Sequence, residues 1–143
     1  MIRPTAEQQK QWDDEGYLVF EKAIQGDDLE RLQDAFDHWS AICKEDWLNR
    51  IETGENSSTF YDIPDPFAKD EIFIDLVDHP SYYGTLMSFT NDQLILLGPQ
   101  VRTVPPWPIS YTSWHPDVPF SNPLHINCLL YTSDAADERS SVD

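Results

Sequence analysis

The sequence predicts an α+β chain, with helices first and short strands afterwards. Three observations carry that expectation. An apolar stripe with helical spacing runs through residues 29–47, short apolar runs replace it after Asn91, and prolines and glycines cut those runs into turns.

Taken in order, Thr5 and Gln8 form a capping box. A hydroxyl and an amide three residues apart satisfy each other's main-chain N–H groups, so a short helix opens there and Gly16 ends it. Tyr17-Leu18-Val19-Phe20 is rich in strand formers and too brief for a helix of its own. Gly26-Asp27 breaks the chain, and Asp27 with Glu30 marks a second helix start. Behind them Leu29, Leu32, Phe36, Trp39, Cys43 and Trp47 recur at steps of three and four. That spacing puts them on one face of a helix of about five turns, where the aromatic rings are core rather than a cofactor box. Residues 49–69 lose the period, and Gly54, Pro64 and Pro66 give loop chemistry; an irregular stretch of that length is uncommon in a compact domain unless it has a job, such as covering a pocket. Short helices follow around Ile72, Leu76 and Val77, up to His79-Pro80, and from Ser81 to Phe89. Leu94-Ile95-Leu96-Leu97, Val101 to Val104 and Tyr111 to Asp117 then read as strands, separated by Gly98-Pro99 and Pro105-Pro106-Trp107-Pro108.

A formal charge of -17 repels phosphates, which argues against nucleic acid and an anionic membrane surface as partners without identifying a partner. No run approaches the roughly 20 apolar residues of a membrane span. The first residues lack the apolar core of a secretory signal, and two cysteines without metal-site spacing fit a reducing cytoplasm.

Chemistry enters at Ser113-Trp114-His115-Pro116-Asp117. Residues two apart in a strand share a face, so His115 and Asp117 project together while Trp114 and Pro116 point away. An imidazole nitrogen beside a carboxylate oxygen offers one edge of a metal site. With a second histidine it makes the facial triad that leaves positions on Fe(II) open to a chelating oxo acid and O2. The alternative is a structural His–Asp pair. Upstream, Gln100 and Arg102 also share a face. Arg102 is suited either to a bidentate bond with the co-substrate's carboxylate or to pairing with one of the abundant acids.

Three stretches resemble, in order, the phytanoyl-CoA dioxygenase family of iron(II)- and 2-oxoglutarate-dependent oxygenases. They are TAEQQKQWDDEGYLVFEKAIQGDDLERLQDAF, DHPSYYGTLMSF and LLGPQVRTVPPWPISYTSWHPDVPF. The resemblance runs from about residue 5 to about residue 127. It implies helices packed on an incomplete double-stranded β-helix, a cupin-like jelly roll. It further implies Fe(II) held by His115 and Asp117, 2-oxoglutarate as co-substrate with Gln100 and Arg102 near it, and hydroxylation of a small molecule.

The chain departs from the family pattern beyond that point. The family's distal histidine and its carboxylate-clamping arginine come much later, and the only histidine after Asp117 is His125. Residues 1–127 are therefore expected to be the N-terminal part of an oxygenase domain, inactive alone and with a weak metal site. Residues 128–143, CLLYTSDAADERSSVD, resemble a translated sequencing-adapter peptide and are expected to be a separate, non-native tail. Two other readings stand beside the oxygenase: a non-catalytic cupin-like binding module in which the His-x-Asp pair is structural, and a cupin-like metalloenzyme, such as an isomerase, that uses no oxo acid.

Overall fold

Local chemistry at the N-terminus builds the first helix as its sequence dictates. In the computed structural model, which describes residues 2–55, 61–103 and 126–130, α1 spans Ala6–Glu15. Thr5 and Gln8 close the capping box, and Gly16 takes the left-handed φ of 76° that ends the helix. Trp12 stacks on Phe89 at 4.3 Å between ring centroids, and Arg3 reaches Ser88 and Asp92, so α1 is tied to the helix that carries Phe89.

The long helix α2, Gly26–Glu52, is 27 residues, two turns or more beyond the apolar stripe that predicts it. Leu32 and Ala35 are buried, and Phe36, Trp39 and Cys43 pack against the same core. The stripe is therefore core, as its spacing requires. Beyond Trp47 the helix continues with exposed residues, held in part by the Arg50–Asp46 pair.

Inside the stretch expected to be irregular lies β1, Tyr61–Ile63. It pairs antiparallel with β2, Val101–Thr103, in the register Tyr61 with Thr103, Asp62 with Arg102 and Ile63 with Val101. A 3-10 turn at Pro66–Ala68 leads to α3, Glu71–Asp75, whose first turn is capped by the Asp70 carboxylate accepting from the Ile72 N–H. α4 spans Tyr83–Phe89, and Asn91 and Asp92, both at left-handed φ, turn the chain away after it. The core gathers Leu32 and Ala35 from α2, Ile63 from β1, and Ile72 and Phe73 from α3, with Phe67, Leu76 and Val101 at its edge.

The double-stranded β-helix expectation is corrected here. Among the described residues the sheet has two strands of three residues each, and helices dominate. Residues 17–20 and 94–97, rich in strand formers, are not strands. Their main-chain groups have no partner among the described residues, and propensity without a ladder does not make a sheet. No helix among the described residues is long and apolar enough to cross a membrane. The expected strand Tyr111 to Asp117, and all of the expected tail beyond Leu130, lie outside the described residues. Cys128, Leu129 and Leu130, the described part of that tail, line a cavity together with residues 17–20.

Candidate functional site

Of the four residues singled out by sequence, His115 and Asp117 lie outside the described residues, and Gln100 and Arg102 lie within them. Gln100 is exposed, just before β2. Arg102 is the central residue of β2, directly opposite Asp62 of β1, and the two side chains meet in a fork: Arg102 Nε donates to one Asp62 oxygen at 2.7 Å and Nη2 to the other at 2.9 Å. Hydrogen bonding to Asp62 raises the Arg102 pKa, with burial opposing and the carboxylate's charge reinforcing it. An incoming co-substrate carboxylate would have to share this guanidinium with Asp62 or displace it.

Sequence reasoning missed Asp62 because residues 49–69 lack a long period. The signal was short: Tyr61 and Ile63, both strand formers, flank a single polar residue with period two. The pair is more than a third exposed, so solvent screening holds its contribution to about 1 kcal/mol. A double-mutant cycle of Asp62→Ala and Arg102→Ala, read from urea unfolding, should return a coupling of that size; zero coupling would mean the fork does not join the strands.

Another imidazole–carboxylate pair is present away from the predicted motif. His79 contacts Ser81 through Nδ1 at 2.7 Å and Asp28 through Nε2 at 3.4 Å. With both ring nitrogens engaged, His79 anchors the turn before α4 to the start of α2 rather than offering a lone pair to a metal. Among the described residues, no group of three or more His, Cys, Asp or Glu side chains is placed to hold a metal ion.

A cavity of about 680 Å³, within the range of small-molecule sites, opens between α1, α2 and α4. Trp12 of α1, Leu18 and Phe20, Leu29 of α2, Phe89 of α4 and Ile126 contribute to its wall. Tyr82, also in the wall, is buried and donates its hydroxyl to the Leu76 carbonyl. Burial raises the Tyr82 pKa, with nearby Cys128 and Asp78 adding to the shift. The unfolded chain releases this proton from about pH 10 while the folded chain keeps it, so Tyr82's contribution is complete below about pH 10 and declines as pH rises further. Tyr82→Phe should lose about 1 kcal/mol at neutral pH and show a shallower alkaline decline in urea midpoint. An unchanged slope would show that this phenol does not control the alkaline limb.

No protein-family model, curated protein or solved structure matches this chain.

Proposed function

We propose that this chain carries part of the active site of an iron(II)- and 2-oxoglutarate-dependent oxygenase of the phytanoyl-CoA dioxygenase type, acting on a small molecule. The single observation that supports the reading is the His115-x-Asp117 spacing, preceded by a segment whose motifs follow that family's order. One neutral nitrogen donor and one anionic oxygen donor fit two corners of an Fe(II) facial triad, so the donor chemistry suits the metal. His115 and Asp117 would hold the iron. When bound, the iron and 2-oxoglutarate supply the oxidation: one O2 and one oxo acid give succinate, CO2 and a hydroxylated C–H bond.

The chain's own contribution is to hold the two donors and to exclude water around the substrate. Gln100, two residues before Arg102, is placed to approach the co-substrate. Arg102, whose Nε and Nη2 donate to Asp62, would join it by sharing its guanidinium between Asp62 and a carboxylate of the oxo acid or by exchanging one for the other.

The test is anaerobic binding of 2-oxoglutarate to the protein with and without Fe(II). Metal-dependent binding that His115→Ala and Asp117→Ala both abolish is the expected result. Binding indifferent to the metal, or to both substitutions, would remove the oxygenase reading and leave the pair a structural one.

A further inference from the structure

His79 does more than anchor the turn before α4. Its Nδ1 lies 2.7 Å from the Ser81 hydroxyl and 3.3 Å from the Ser81 main-chain nitrogen, and its Nε2 lies 3.4 Å from an Asp28 oxygen. A main-chain N–H can only donate, so the neutral ring carries no proton on Nδ1. Its proton therefore sits on Nε2 and faces the Asp28 carboxylate. The Ser81 hydroxyl is left to donate to Nδ1. The order is hydroxyl, imidazole base, carboxylate.

The surroundings fix that order. The His79 carbonyl accepts from the Tyr82 and Tyr83 N–H groups, and Pro80 restricts the backbone between His79 and Ser81, so one rigid turn carries both hydroxyl and imidazole. The buried Tyr82 ring stacks on the imidazole at 5.7 Å between centroids. Asp28 stands on the first turn of α2, where Arg31 bonds it and Asp75 of α3, so the nearby cation steadies the carboxylate. The His79 side chain is 14% exposed, so water competes little for its nitrogens, while Ser81 is half-buried and within reach of a small reagent. A structural cap needs only the Ser81 N–H on Nδ1. It needs neither the hydroxyl on the same nitrogen nor a carboxylate behind the ring.

We propose that Ser81, His79 and Asp28 form a serine-nucleophile site that takes the acyl group from carboxylic esters, an activity separate from the iron chemistry above. Ser81 Oγ bonds to the ester's carbonyl carbon, and its proton passes to His79 Nδ1. The C–O bond to the leaving group then breaks, and the departing alkoxide takes that proton. Water repeats both steps on the acyl-serine, which releases the acid and restores the hydroxyl. His79 acts as base and then as acid. Asp28 is a positioning residue that holds the ring proton on Nε2 and faces the imidazolium when it forms. The chain's charge of -17 selects against anionic esters, so uncharged esters are the class it takes.

The full chain is tested with two probes. One is p-nitrophenyl acetate, read as release of p-nitrophenolate. The other is an alkyl fluorophosphonate, which phosphonylates base-activated serines with loss of fluoride and is read by mass on the peptide containing Ser81. The native chain should release p-nitrophenolate and carry the label on Ser81. Ser81→Ala should lose the label, and His79→Gln should slow both reactions about 100-fold or more. Asp28→Asn should slow both and Asp28→Glu restore part of the rate, a pattern that a mere anchor of the turn would not give in chains shown by far-UV circular dichroism to be folded. Should His79→Gln not fold, Asp28→Asn decides in its place, since its amide oxygen still receives the Nε2 proton. A folded native chain without label on Ser81, release undiminished in Ser81→Ala, or labelling indifferent to both His79→Gln and Asp28→Asn would each overturn the site. Equal losses in Asp28→Asn and Asp28→Glu would overturn the role given to Asp28.

Discussion

Phe73→Ala is expected to cost about 3–5 kcal/mol, among the largest stability losses that truncating a described side chain should produce. Phe73 is buried in α3, a helix of five residues that cannot sustain itself by main-chain bonding and is held by what its inner face touches. That face is Ile72 and Phe73, packed among Leu32 and Ala35 of α2 and Ile63 of β1. Removing the ring leaves a cavity where helix, strand and long helix meet, and few other buried side chains among the described residues are present to close it. Against a total of about 5–15 kcal/mol for a domain, the loss leaves the fold marginal. Urea unfolding should show a lower midpoint with an unchanged slope. Ile74→Ala, one residue further on and 47% exposed, should stay within about 0.5 kcal/mol. Similar costs for the two substitutions would mean that α3 does not present the face described.

The contrast between those neighbours shows what the sequence could reveal. Helices here are specified locally: Thr5 and Gln8 cap α1, Gly16 ends it, and the stripe from Leu29 to Trp47 places α2 with the correct side inward. Each signal depends on residues within a few positions of one another. Strands depend on a partner. Tyr61-Asp62-Ile63 pairs with a segment some 40 residues away and becomes β1 although its surroundings read as loop, whereas Tyr17-Leu18-Val19-Phe20 has stronger strand propensity and no ladder. The expectation of a larger β architecture came from propensity and resemblance, and neither contains the pairing. Arg102 was singled out by its residue type and spacing, and of its two readings the structure shows the pairing with an acid. Its partner Asp62 became visible only once the register set the two opposite each other.

Loss of either donor in the His115-x-Asp117 pair is expected to cut Fe(II) affinity by at least about 10–100-fold, the loss that even an outer partner of a ligand carries. The reasoning is one of coordination. Two donors two residues apart would chelate one ion, and removing either leaves a single side chain that must compete with water unaided. The substitutions should therefore be equal in consequence although they differ in charge, because each destroys the same chelate. His38→Ala is the control, since His38 lies exposed on α2 with its ring edge-on to Trp39 at 4.9 Å and no carboxylate two residues away. Anaerobic Fe(II) titrations of the four proteins would separate the possibilities. A native chain that binds Fe(II), with both site variants failing and His38→Ala unaffected, supports a metal held by His115 and Asp117. Binding that persists undiminished in all four proteins would point to diffuse attraction by a chain at -17, and a loss confined to Asp117→Ala to a site in which the imidazole has no part; either would remove the chelate.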